Sequence, residues 1–184
     1  MGSVRIIGGS LKGRRLTCPD SGVRPTPNPI RETLFNWLQQ RIVHARCLDV
    51  FSGTGALGLE ALSRGADWVT LWDANPTLNQ QYANIIHDWK LESIDHAIVQ
   101  FPAPPPPVMT PYDIVFLDPP FDYYPLKSQL KWLSDHGLIK KTSCVYFEQR
   151  YQINPMDEIL GWKSIRIKRQ GDVEYGLLEK RGAS

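Results

Sequence analysis

Cysteine is scarce in this 184-residue chain, and the three present, Cys18, Cys47 and Cys144, are scattered and odd in number. That excludes the disulfide framework of small secreted domains, and the absence of any C-x-x-C pair or clustered Cys/His spacing leaves no metal expected. No run approaches the ~18 apolar residues of a membrane-spanning helix, and the first residues lack the apolar stretch of a secretory signal. A cytoplasmic protein is therefore expected. No internal repeat is visible, and the length suits one domain with a single core and a monomer.

Acids are nearly missing from the first quarter. Residues 1–46 hold eight Lys/Arg against Asp20 and Glu32, a balance of +6, so the remaining 138 residues carry −4. Val4–Ile7 and Leu11–Leu16 flank Gly8-Gly9 and read as a hairpin. Residues 1–27 are thus expected to form a basic arm on a single compact unit, 28–184. Such an arm suits an RNA partner, since phosphate contacts supply most sequence-independent affinity. The candidate RNA contacts are Arg5, Lys12, Arg14, Arg15, Arg24 and Arg31. On charge alone a solvated positive face is the competing reading. Lys163–Arg169 alternates charged and apolar residues, which an antiparallel edge strand also shows.

The rest alternates strand and helix, the mark of an α/β fold. Strands are expected at 47–51, 68–73, 96–100, 112–117, 142–149, 162–169 and 173–179, with helices at 30–41, 55–64, 76–89 and 126–136. Asn75-Pro76 is a cap followed by proline at the first helical position. Phe101–Pro107, with five prolines, reads as a stiff surface connector; a proline ligand for a partner domain is the other reading.

Two motifs carry chemistry. Asp118-Pro-Pro-Phe121 follows the strand 112–117, where an acid, two prolines and an aromatic can clamp a flat base bearing an amine. Asp118 accepts from the NH2 group. Pro119 lacks an N–H and can turn its carbonyl inward, Pro120 stiffens the turn, and the ring of Phe121 offers a stacking face. A plain turn after a strand is the competing reading. The second motif, Ser52-Gly-Thr-Gly-Ala-Leu-Gly58, joins a strand to a helix, and Gly53, Gly55 and Gly58 satisfy the dinucleotide fingerprint. Asp49 stands four residues before the first glycine, where it would repel a pyrophosphate and attract the cationic S-adenosylmethionine. Asp73 ends the next strand 18 residues after Gly55, the place for an acid on ribose hydroxyls.

Together, Asp49-x-Phe51-x-Gly53-Thr54-Gly55, Asp73 and Asp118–Phe121 resemble the amino-methyltransferase branch of the Rossmann-like methyltransferases. Arg5–Gly9, Lys12–Arg15, Arg24-Pro-Thr26, Arg31–Leu38 and Gly58–Ala66 narrow this. With them the chain is similar, from residue 5 to about 180, to the bacterial 16S rRNA guanine-N2 methyltransferase family called RsmD. The resemblance implies a mostly parallel seven-stranded sheet with helices on both faces and an N-terminal β-hairpin. It implies S-adenosyl-L-methionine as cofactor, S-adenosyl-L-homocysteine as product and no metal. It also implies methylation of N2 on a loop guanine in helix 31 of small-subunit rRNA, free or in an assembly intermediate. Asp49, Phe51, Gly53, Thr54, Gly55, Asp73, Ala74, Gln100 and Asp118 would then meet the cofactor.

The chain departs from the family pattern twice. Gln100-Phe101 stands where an acid usually meets the adenine, and Asn28-Pro29 where an Asp-Arg pair is usual. Three other functions share parts of the pattern. An adenine-N6 methyltransferase would use the same clamp and differs through the arm. A nicotinamide oxidoreductase leaves Asp49 and Asp118–Phe121 unexplained, and a non-catalytic RNA-binding module needs only the arm.

Overall fold

The computed structural model describes residues 2–18, 26–120, 124–151, 158–159 and 161–181. Strands β1 (Gly2–Arg5) and β2 (Arg15–Cys18) pair antiparallel as a hairpin, as expected, but the paired strands are shifted outward from the predicted 4–7 and 11–16. Residues 6–14 form the connection in place of a tight Gly8-Gly9 turn. Then follow α1 (Asn28–Trp37), β3 (Arg46–Asp49), α2 (Ala56–Ser63), β4 (Trp68–Asp73), α3 (Pro76–Trp89) and β5 (Ile94–Ile98). Beyond the proline-rich connector come β6 (Tyr112–Leu117), α4 (Leu126–Asp135) and β7 (Ile139–Arg150). A two-residue β8 (Glu158–Ile159), β9 (Trp162–Gln170) and β10 (Val173–Lys180) complete the order.

The large sheet runs β5-β4-β3-β6-β7-β10-β9-β8. Its first five strands are parallel, and β10 inserts antiparallel between β7 and β9. This is the Rossmann-like α/β sheet that the sequence predicts, with β8 as an added edge of two residues. Chain order departs in opposite directions from β3 and β6, so a cleft opens at their C-terminal ends. Helices α1, α2 and α3 pack on one face with the hairpin, around Leu34, Leu59, Tyr82, Phe116 and Tyr146. On the other face α4 packs around Leu48, Trp72, Val115, Phe147 and Trp162. Covered on both faces, β6 is buried from Ile114 to Leu117, which is why it reads as a continuous apolar run.

Local chemistry sets the element ends. The Asn75 side chain accepts from the Thr77 amide at 2.9 Å, so α3 starts where the Asn-Pro pair predicts. Lys90 takes the left-handed conformation after α3, and the chain turns early enough for Ile94 to pair with Val69. Hence β5 begins two residues before the predicted 96. The regular part of α1 ends at Trp37 instead of 41, and Leu38 and Ile42 stay buried in the turns that follow. The proline-rich connector does not float free: the Trp132 ring nitrogen donates to the carbonyls of Pro102 and Ala103 at 3.1 and 3.2 Å. No helix among the described residues is long and apolar enough to cross a membrane.

The hairpin is moored by one buried carboxylate. Glu60 accepts the amides of Ile7 and Gly8, both at 2.8 Å, and the Arg64 guanidinium at 2.8 Å. Gly9 has a φ of 75° and a Cβ there would lie 1.7 Å from the Ser63 carbonyl, so no other residue fits. Arg31 corrects the sequence reading. Its side chain is fully buried, 3.6 Å from Glu60, and donates to the Arg5 carbonyl at 2.9 Å and to Asn28. It cannot meet a phosphate, because the core needs its charge beside Glu60. Asn28, itself exposed, caps the outer edge of this network by accepting from Arg31. Arg31→Ala, which removes one of the two cations beside Glu60 and the donor to the Arg5 carbonyl, is expected to cost about 1.5–3 kcal/mol in urea unfolding at neutral pH; a loss under about 1 kcal/mol would show that the mooring is solvated.

Candidate active site

Parallel strands end in acids along this cleft. Asp49 closes β3, Asp73 closes β4 and Asp118 follows β6, and all three line one cavity of about 660 Å³. Asp49 is 1% exposed, and its Oδ2 accepts the Gly58 amide at 3.0 Å, an otherwise unpaired donor in the first turn of α2. Its Oδ1 has no partner among the described residues. Burial pushes the Asp49 carboxyl up to about 8, against the Gly58 amide, and the charges of Asp118 and Asp73 push the same way. Burial also raises Asp73, whose oxygens accept the Gly53 and Asn75 amides, each at 2.9 Å.

The glycine loop is tied down on both sides. Tyr82 donates its hydroxyl to the Gly53 carbonyl at 2.7 Å, and the Ser52 hydroxyl reaches the carbonyls of Asp49 and Trp72 at 2.8 and 3.0 Å. Gly53 and Gly55 have φ of 53° and 78°, the left-handed turn that brings backbone to the cavity edge. Gly55 itself is the residue before α2 and faces Leu59, Leu71 and Tyr82, so it shapes the loop and is not on the cavity wall. At Gly58 a Cβ would come within 2.3 Å of Leu71, so the third glycine serves close helix–strand packing.

Asp118 receives the Thr26 hydroxyl at 2.9 Å. Burial raises its carboxyl above the usual carboxylate range, and the Thr26 hydrogen bond opposes this. Pro119 is buried, Pro120 is exposed, and both line the cavity. Phe51, Thr54, Ala74 and Gln100 also line it. One wall is aromatic: Tyr124 stacks on Phe51 with centroids 5.8 Å apart, and Phe101 lies 4.8 Å from Tyr124. Phe121 and Tyr123, like Arg24 in the arm, lie outside the described residues. The sequence motifs did not single out Thr26, Leu57, Leu78 or Phe101 as lining residues; their signal is apolar or small side chains with no periodic distinction from core.

The arm's remaining basic residues are at the surface. Arg5, Lys12, Arg14 and Arg15 are exposed, and Arg5 stands directly opposite Arg15 on the hairpin. Like charges opposite one another destabilise a strand pair, so this placement has no folding rationale. The Arg14 guanidinium lies 4.9 Å from the centre of the Trp89 ring, and Gln81 donates to the Thr17 carbonyl at 2.7 Å. Both contacts lay the arm along α3.

The chain has clear relatives among known proteins. The model of the family described as Conserved hypothetical protein 95 matches residues 4–179. The chain is 39% identical to ribosomal RNA small subunit methyltransferase D of Escherichia coli K12, over 97% of this chain and 91% of that protein. Against the Haemophilus influenzae protein of the same name it is 35% identical, over 97% and 94%. The solved structure of yhhF from Escherichia coli superposes with a TM-score of 0.86 at 39% identity, covering 97% of this chain and 98% of that one.

A carboxyl raised by folding binds its proton more tightly in the native state than in the unfolded one. Between the ordinary range and about pH 8, Asp49 therefore makes the free protein less stable as pH rises. Asp49→Asn is expected to flatten this slope and to raise the melting temperature of the free protein at pH 8. Thermal melts from pH 5 to 9 check it; parallel curves for variant and native protein would show that Asp49 is ionised in the free protein at little cost.

Proposed function

The chain belongs to the RsmD family, whose model bears the description Conserved hypothetical protein 95, and on that premise we propose that it is an rRNA (guanine-N2)-methyltransferase. It acts, on this reading, on the exocyclic N2 of a loop guanine in helix 31 of 16S rRNA, with S-adenosylmethionine as methyl donor. The observation that carries the reading is the convergence of Asp49, Asp73 and Asp118 on one cavity beside the glycine loop. A cavity lined by raised carboxyls, one with an unpartnered oxygen, fits a ligand carrying positive charge. When bound, S-adenosylmethionine supplies a methyl group on a sulfonium, an electrophile that requires no nucleophilic side chain.

The chain's residues divide the remaining work. Asp73 would hold the ribose hydroxyls, Asp49 and the Gly53–Gly55 loop the charged end, and Gln100 and Ala74 the adenine side. Asp118 accepts a hydrogen bond from the guanine amine, favours the positive charge that grows on nitrogen, and takes the proton. The Pro119 carbonyl is a second acceptor. Holding amine and methyl in line at attack distance contributes up to ~7–11 kcal/mol in favourable cases. Guanine N2 is unreachable in a stack, so the base must be splayed out, which costs less in a loop. Tyr124 and Phe51 offer it a flat apolar wall. Arg5, Lys12, Arg14 and Arg15 bind phosphates of small-subunit rRNA, free or partly assembled, in the cytoplasm.

Labelled methyl transfer to small subunits, naked rRNA and DNA, with identification of the product nucleoside, tests the reading. N2-methylguanosine from rRNA is expected; N6-methyladenosine would move the assignment to the adenine class. Asp118→Ala is expected to bring transfer to background while S-adenosylmethionine affinity, read by calorimetry, stays within a few-fold; near-normal turnover would rule out the clamp.

Charge on the arm is expected to show in salt dependence. Neutralising Arg14 and Arg15 should weaken rRNA binding and reduce the slope of log affinity against log salt by about one for each lost phosphate contact. Cofactor affinity should not change. Unaltered RNA binding at low and physiological salt would make the arm a solvated face.

A further inference from the structure

We propose that Thr26 and Glu148 form a positioning pair that holds Asp118 ionised and aimed at the substrate amine, an inference that rests on the methyl-transfer reading above. Thr26, the last residue of the Arg24-Pro-Thr26 motif, is 5% exposed and donates its hydroxyl to Asp118 Oδ2 at 2.9 Å. A second acid, Glu148 near the end of β7, is 4% exposed and interacts electrostatically with both Asp118 and the Thr26 side chain. The Tyr146 hydroxyl in turn donates to Glu148 Oε1 at 2.7 Å.

A threonine hydroxyl has one hydrogen and can serve one carboxylate at a time. While it serves Asp118 it has none for Glu148, so a bond between Thr26 and Glu148 then needs a proton on Glu148, and the pairing puts it there. The surroundings agree. The groups facing Glu148 are Asp118 after β6, Thr26 before α1, Tyr146 on its own strand and Tyr175 directly opposite on β10. Asp118 in turn faces Asp49 across the cavity. No Lys or Arg is paired with Asp118 or Glu148 among the described residues. Burial and the Asp118 charge raise the Glu148 carboxyl, against the Tyr146 hydroxyl and the Thr26 side chain, and burial raises Asp118. The directed chain is then Tyr146 to Glu148, Glu148 to Thr26, Thr26 to Asp118. When Glu148 ionises it draws the Thr26 hydrogen to itself, and Asp118 loses both its donor and its neutral neighbour. The arm that meets RNA thus ends in the residue that orients the reacting carboxylate.

Thr26→Val, Thr26→Ser and Glu148→Gln in the full chain separate this from a packing role. Carbon-13 NMR titration of the side-chain carboxyls in the free protein needs no RNA. Thr26→Val is expected to raise the Asp118 midpoint and Thr26→Ser to restore it. Glu148→Gln should remove the highest glutamate step. In methyl transfer, Thr26→Val should lower kcat at least about tenfold, the scale of one hydrogen bond to a charged group. The KM for RNA and cofactor affinity should hold, and Thr26→Ser should recover most of the rate. Glu148→Gln mimics the protonated acid, so it should stay active and lose the alkaline fall of the native profile. An unmoved Asp118 midpoint in Thr26→Val, or a native alkaline limb in Glu148→Gln, overturns the pairing. If the native protein transfers no methyl group while the carboxyl shifts occur as stated, the pairing stands and the methyl-transfer reading fails.

Discussion

Buried carboxylates without a cation are the constraint on which this molecule turns. The parallel sheet brings Asp73, Asp49 and Asp118 to neighbouring strand ends, with Glu148 on the next strand along. Each has its proton affinity raised by burial, and the charges of Asp118 and Asp73 raise Asp49 further. A fold evolved for stability alone would place a guanidinium there. The same chain does so elsewhere: Glu60, as buried as Asp49, is met by Arg31 and Arg64. The contrast separates two uses of a buried acid. At the mooring of the hairpin the countercharge is part of the fold; in the cleft it is supplied by protons or by a ligand.

The two acidic centres are linked through the N-terminal segment. Glu60 fastens the hairpin by the amides of Ile7 and Gly8, and Arg31 ties α1 to the Arg5 carbonyl. From that anchored base the chain reaches Thr26 and so Asp118. Arg14 against Trp89 and Gln81 against Thr17 hold the outer side of the arm on α3. Exposed cations and the Thr26 hydroxyl thus belong to the same N-terminal part of the chain, where the proposed function joins RNA docking to Asp118.

Much of this was legible in the sequence, for reasons that are local. β4, β6 and α3 have the predicted bounds because two are dense apolar runs closed by an acid and the third has its own cap. The acids Asp49, Asp73 and Asp118 were legible because a carboxylate at the end of an apolar strand stands out. Arg31 was misread because its partner, Glu60, lies 29 residues away on another helix and no spacing announces the pair. Thr26 and Glu148 were missed as a site for the same reason: their neighbour Asp118 is distant in sequence from both. The early start of β5 depended on a left-handed Lys90, a conformation that lysine composition does not advertise. Gly55 belongs to the motif yet stands off the cavity wall, since a fingerprint marks backbone shape and not contact.

If the cleft is held under-ionised until a cation enters, binding S-adenosylmethionine must draw protons off it. Calorimetric titration at pH 7 in buffers of different ionisation heat measures that number. The account predicts net proton release on binding, greater for S-adenosylmethionine than for S-adenosylhomocysteine, which lacks the sulfonium charge, and reduced by Asp49→Asn. Binding with no proton release and the same affinity from pH 6 to 8 would contradict it.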